Sequence, residues 1–176
     1  KIKIVTSFYP IYNLTINIAE GVDNVEVVNL TSYESGCLHD YQLTTSDMKR
    51  LENADVFIMN GGGMEGFLDD VLEAYPNIDI VDSSRGIKLL EAAKDNHGHE
   101  DHEDHEDNEH SHHEYNAHIW MSMDNYIRQI ENVKEDLSQL DPDNKTIYAN
   151  NSNQYINEIK ELQMEANGIG QLSKWK

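Results

Sequence analysis

The chain has 176 residues, and 38% hydrophobic content supports one domain with a modest core. Its 33 acidic residues outweigh 13 basic ones for a net charge of -20, which sets nucleic acid and anionic membrane surfaces aside as partners. The single cysteine, Cys37, excludes an internal disulfide and leaves the redox compartment open, and no apolar run approaches a membrane span.

In chain order, KIKIVTS reads as a strand over residues 2–6 rather than as a secretory leader, which fits a processed mature protein as well as a cytosolic one. Pro10 fits the first turn of a helix, where its missing N–H costs nothing. Ile11, Leu14, Ile18 and Ala19 follow at helical spacing, and Gly21 closes the segment. VEVVNL (25–30) is a second strand, apolar nearly throughout, as in a parallel sheet covered on both faces. After a loop over 31–43, Thr45 or Ser46 is suited to cap a helix that turns Met48, Leu51 and Ala54 inward. DVFIMN (55–60) is a third strand. It enters Gly61-Gly62-Gly63, which lacks the GxGxxG and GK[ST] patterns of phosphate loops and reads as a tight turn. A helix with Met64, Phe67, Leu68, Val71 and Leu72 inward comes next, then a fourth strand, IDIVD, over 78–82. This succession predicts an α/β fold: a small four-stranded parallel sheet with right-handed crossovers, flanked by helices.

Residues 95–114, DNHGHEDHEDHEDNEHSHHE, have a different character. Nine of the acidic residues lie here without a single Lys or Arg, so the remainder, 13 basic against 24 acidic, keeps a charge of -11. No side chain in the run fills a core, and its ordering entropy is not offset by burial, so a solvated loop inserted within a domain is expected. His97, His99, His102, His105, His110, His112 and His113 are imidazoles suited to borderline divalent ions, zinc foremost. Their irregular spacing predicts several weak, interchangeable metal sites rather than one rigid tetrahedral site.

NAHIWMS (116–122) then leads to a helix capped by Ser122, with Tyr126, Ile127, Ile130, Val133 and Leu137 on one stripe. Asp141-Pro142 breaks it. A long helix over 143–166 carries Ile147, Tyr155, Ile159, Leu162 and Ala166, and Gly168 and Gly170 are expected to end it. Left uncovered, that stripe predicts self-association or a disordered carboxyl end. Two histidines stand outside the rich loop. His39 follows the second strand and His118 precedes the Ser122 helix, both near the carboxyl ends of strands, where open α/β folds place ligand crevices. Taken singly, a loop histidine is most often plain surface.

The motifs around them carry a resemblance that covers nearly all of the chain. SFYPIYNLTINIAEG (7–21), HDYQLTTSDMKRLENADVFIMNGGGMEGF (39–67), IVDSSRGIKLL (80–90), HIWMSMDN (118–125) and DPDNKTIYANNSNQYINEIKEL (141–162) together resemble the solute-binding components of zinc and manganese ABC importers. The resemblance implies an amino-terminal lobe over 1–140 and the start of an interlobe spine helix over 141–167. A tail follows over 168–176, with no second lobe within these residues. His39 and His118 match the family's first two histidine ligands, whose other ring nitrogens need acceptors that fix the tautomer. A third histidine and an acidic ligand come from the second lobe in that family, so these two make half a site. The Asp/His-rich insertion before the second ligand motif marks the zinc-importing branch, and imidazole ligation also favours Zn2+ over Mn2+. An ABC permease is the implied partner, and the implied location is extracytoplasmic: the periplasm or the outer face of the cell membrane, with a lipid anchor in many relatives. Two departures stand out. Leu38, preceded by Cys37, occupies the place of a frequent acidic residue, and Met123 the place of a usual proline. Cys37 reads as an ordinary small thiol rather than a thiolate ligand.

Three functions follow from these residues: a zinc receptor lobe, a His-rich metal buffer that depends on the loop alone, and a zinc hydrolase. The last needs a general base beside an open metal position, and no HExxH or comparable arrangement is present. A non-enzymatic metal binder is the expectation.

Overall fold

A computed structural model describes residues 1–31, 38–90 and 116–173, with side chains placed as far as residue 168. The histidine-rich run and Cys37 lie outside the described residues, so the loop sites are not tested by it. Strands β1 (Ile2–Thr6), β2 (Val25–Asn29), β3 (Val56–Met59) and β4 (Asp79–Asp82) form one parallel sheet in the order β2-β1-β3-β4. Ile4 of β1 pairs with Val27 of β2 on one side and with Val56 of β3 on the other. The chain thus leaves β1 in one direction and returns to its other side with β3. That reversal makes the carboxyl edge between β1 and β3 the switch point at which open α/β sheets bind ligands.

The central strands are apolar because both faces are covered: Ile4, Val5, Phe57 and Ile58 are fully buried. Helix α1 (Tyr9–Ile18) begins with Pro10 in its first turn and contributes Ile11, Leu14 and Ile18 to the core. Helix α4 (Met123–Leu140) is capped by Ser122 as expected and buries Ile130, Val133 and Leu137. Helices α2 (Thr45–Leu51) and α3 (Leu68–Ala74) are tied by the Tyr75 hydroxyl, which donates to the Met48 carbonyl at 2.7 Å.

Local details depart from the pattern in the sequence. Thr44, not Thr45 or Ser46, caps α2, because Asp47 three residues on closes a reciprocal capping box with it. Met64 and Phe67 are buried but precede α3, and Leu72 is partly exposed rather than inward. The last helix, α5 (Lys145–Ser173), runs through Gly168 and Gly170 instead of stopping there. A helical glycine costs only about 1 kcal/mol, which a long helix tolerates. Its packed stripe is Tyr148, Ser152, Tyr155, Ile156 and Ile159 rather than one starting at Ile147. The Tyr148 hydroxyl donates to Asp141 Oδ2 at 2.7 Å, which fixes the turn between α4 and α5. Past Ile159 the cover ends, and Leu162 and Met164 are 59% and 73% exposed. Among the described residues no helix is long and apolar enough to cross a membrane.

Candidate metal centre

His39 leaves the carboxyl edge after β2. Leu38 before it is fully buried and anchors the segment. Tyr41 after it donates its hydroxyl to Asp47 Oδ2 at 2.7 Å and stacks edge-on against Phe67, with centroids 6.0 Å apart. The imidazole itself is 54% exposed, and Nδ1 lies 3.8 Å from Asp40 Oδ1, too far for a hydrogen bond. Its backbone is closely covered: a Cβ added at Gly66 would lie 2.5 Å from the His39 carbonyl oxygen. Only glycine lets the two backbones approach so closely.

His118 is held by hydrogen bonds. Asn116 N–H donates to the Leu90 carbonyl at 2.7 Å, and the Asn60 side-chain amide donates to the Ala117 carbonyl at 2.8 Å. Asn116 Oδ1 accepts from the His118 backbone N–H at 3.0 Å and lies 3.1 Å from His118 Nδ1. A backbone N–H can only donate, so the atom facing both groups is the amide oxygen. Nδ1 therefore carries the proton, and Nε2 keeps its lone pair for a metal. This supplies the tautomer-fixing acceptor that the sequence left unnamed. Trp120 lies 5.2 Å from the His118 ring and packs edge-on against Phe8 at 4.8 Å, joining the segment to the loop after β1. His118 lines a shallow cleft with Lys88, Leu90, Met121, Ser122 and Asn125.

Both histidine segments meet the loop from Asn60 to Phe67 that follows β3. Asn60 holds the residue before His118, and Gly66 lies against the His39 carbonyl. The loop is braced from within by Glu65, whose carboxylate accepts from the Asn60 N–H at 2.6 Å and the Gly61 N–H at 3.1 Å. Burial raises the Glu65 carboxyl above the usual range, against the lowering effect of those two N–H groups. The expected tight turn is present: Gly61, Gly62 and Gly63 all have positive φ, at 81°, 65° and 83°. At Gly61 a Cβ would also strike the Asp82 and Ser84 side chains.

None of Asn60, Glu65, Gly66 and Asn116 is evident from residue type or spacing. The one available signal is position, since three of them follow the apolar strand β3 directly. Among the described residues no group of three or more His, Cys, Asp or Glu side chains is gathered to hold a metal. Two imidazoles alone would fall short of the about four donors of a zinc shell.

A family model for ZnuA, the periplasmic component A of the zinc-uptake complex, matches residues 4–173. The chain belongs to the ZnuA family. It is 32% identical over 164 residues to the high-affinity zinc uptake system protein ZnuA of Bacillus subtilis, which covers 92% of this chain and 49% of that protein. It is 30% identical over 169 residues to the zinc-binding protein AdcA of Streptococcus pyogenes, covering 92% of this chain and 32% of the relative. A crystal structure of a zinc-bound ZnuA deletion mutant superposes with a TM-score of 0.79 at 26% identity, over 97% of this chain and 58% of that one. The four-stranded parallel sheet with flanking helices and a long last helix is thus the fold of ZnuA-type solute-binding proteins. This ZnuA-family chain spans about half, or less, of the curated relatives it matches.

Proposed function

We propose that the chain is the metal-capturing lobe of an extracytoplasmic zinc receptor. In it, His39 and His118 supply two imidazole ligands to Zn2+ as cargo, and the loaded receptor hands the ion to an ABC importer's permease. The observation that carries this reading is the loop after β3. One short segment fixes the backbone beside both histidines at the switch-point edge, and Asn116 leaves His118 Nε2 free to bind. The zinc-binding relatives and the extracytoplasmic family support it. Zinc is favoured over manganese because imidazole is a borderline donor, whereas Mn2+ suits carboxylate and water. The remaining ligands come from a second lobe facing this edge, and the exposed Leu162 and Met164 end of α5 is where the spine leads toward it.

The seven loop histidines support a second role, as weak sites that collect ions beside His118. Such a receptor binds and releases metal without transforming it, and the chemistry asked of its residues is ligation alone. The testing experiment is a zinc titration of the chain, of His39→Ala/His118→Ala, and of a variant lacking 95–114. The double variant is expected to lose the tightest equivalent and keep the weak ones, and the deletion to do the reverse. If the double variant keeps the tightest site, the receptor reading fails and a loop-only metal buffer takes its place.

A further inference from the structure

The buried polar residues behind His118 form one connected set. Asn60 is fully buried, and its Nδ2 faces two carbonyl oxygens, Ala117 at 2.8 Å and Gly61 at 3.0 Å. Two acceptors fix the orientation of the amide, so its Oδ1 must point the other way. There it accepts from Gln129 Nε2 of α4 at 3.0 Å, and Gln129 also donates to the Ser83 hydroxyl at 2.9 Å. Asn132, one turn further along α4, donates to the Ser83 and Arg85 carbonyls at 2.8 Å each and bonds to neither histidine segment. Glu65 holds the Asn60 backbone N–H. Asn60 is therefore oriented from three sides before it reaches Ala117, and a buried donor so constrained fixes its acceptor closely.

We infer that Asn60 is a positioning residue for the metal site: by gripping the Ala117 carbonyl, it sets where His118 stands relative to the His39 segment. This rests on the receptor reading above. Asn60 touches no metal and acts through the backbone of its neighbour. An ordinary core amide would contribute only to stability. Asn60 differs in that its acceptor is the residue adjoining the imidazole, and the same eight-residue loop covers the other histidine through Gly66.

The test compares Asn60→Asp with Asn132→Ala by zinc competition titration on the folded chain, with His118→Ala as reference. A carboxylate at position 60 can still accept from Gln129 but can no longer donate to Ala117. Zinc affinity is expected to fall about 10–100-fold, the usual cost of losing a group that orients a ligand. Asn132→Ala removes a buried amide whose own bonds, to the Ser83 and Arg85 carbonyls, reach neither Asn60 nor Ala117, and is expected to stay within about a factor of three. The imidazole 15N resonances supply a second readout: in Asn60→Asp the His118 nitrogen loses its zinc-induced shift while that of His39 retains more of it. Should the Asp variant not fold, Asn60→Ser, too short to reach Ala117, carries the same comparison. Equal losses in the position-60 and position-132 variants, or equal changes at both imidazoles, overturn the assignment. If His118→Ala itself leaves zinc affinity unchanged, the receptor reading fails and takes the assignment with it.

Discussion

The two histidine segments border the same loop but are secured by different physics. The His118 segment is tied by directional hydrogen bonds through Leu90, Asn60 and, twice, Asn116, which also selects the ring tautomer. The His39 segment is positioned by packing: buried Leu38 before it, Tyr41 against Phe67 after it, and the bare backbone of Gly66 beneath its carbonyl. Among the described residues its imidazole has no short hydrogen bond to fix a tautomer. On the receptor reading proposed above, the difference teaches that His118 is set for ligation before metal arrives, whereas no bond among the described residues sets the His39 ring. A pre-organised donor loses less freedom on binding, so more of its interaction survives as affinity.

The largest effect that separates them comes from removing each ligand in turn. His118→Ala is expected to weaken tight zinc binding by more than about 100-fold, because losing a ligand exceeds the 10–100-fold typical of losing its supporting group. His39→Ala is expected to cost less. Isothermal or competition titration decides this, and a greater loss at His39 would reverse the order proposed for them. Next is Asn116→Ala, which frees the His118 tautomer and brings that ligand toward the condition of His39. A loss of about tenfold is expected, with the His118 ring nitrogens in NMR showing both tautomers. An unchanged single tautomer would mean that something other than Asn116 selects it. Gly66→Ala acts on the packed side. The added methyl meets a backbone oxygen rather than a flexible side chain, so the His39 segment must shift. A destabilisation of about 1–3 kcal/mol is expected in thermal or urea unfolding, together with a fall in zinc affinity. Wild-type stability in that variant would show that the approach at Gly66 relaxes freely.

Most of the scaffold was legible because its signals are strong and local. Apolar runs at 2–6, 25–30, 55–60 and 78–82 read as strands, although the edge strand β2 is only partly covered, and Pro10, Ser122 and Asp141-Pro142 punctuate helices through fixed backbone rules. The two candidate ligands were found by the motifs around them. What escaped was anything decided by direction. Gln129 and Asn132 fall outside the apolar stripe named for their helix, yet both are buried because carbonyls and hydroxyls of the sheet edge await them. Tyr148, rather than Ile147, faces the core because Asp141 receives its hydroxyl. Asn116 and Gly66 matter through one hydrogen bond and one close approach, and neither leaves a trace in composition or spacing. The fold follows from the sum of many weak preferences, whereas the site depends on a few contacts between residues far apart in the chain.

The smallest effect concerns acid. Asp47 secures the His39 side by accepting from the Tyr41 hydroxyl and the Thr44 N–H, while its own N–H donates to the Thr44 hydroxyl of the α2 cap. Burial raises its pKa, but the Thr44 N–H, the Tyr41 and Thr44 hydroxyls and the Arg50 charge outweigh that, and the carboxyl ends below its ordinary value. With the folded pKa depressed, the unfolded chain binds the extra proton. The stabilisation is therefore complete above the unfolded value near ~3.9 and is lost as pH falls through the folded one. Asp141, also lowered, adds a similar limb at the α4–α5 turn, far from either histidine. Glu65 has the opposite sign: its carboxyl is raised, so its share is present at low pH and fades as pH rises through the folded value, and acid does not release the loop it braces. On acidification of the metal-free chain from about pH 5 to about pH 3, backbone amides at Tyr41 and Thr44 should gain hydrogen exchange before that of His118. Asp47→Asn should show that loosening already at neutral pH, with a loss of about 1 kcal/mol, as for a weakened helix cap. Simultaneous loosening of both segments would place the acid-sensitive group in the shared loop instead, and the contrast between a packed and a hydrogen-bonded ligand would no longer hold.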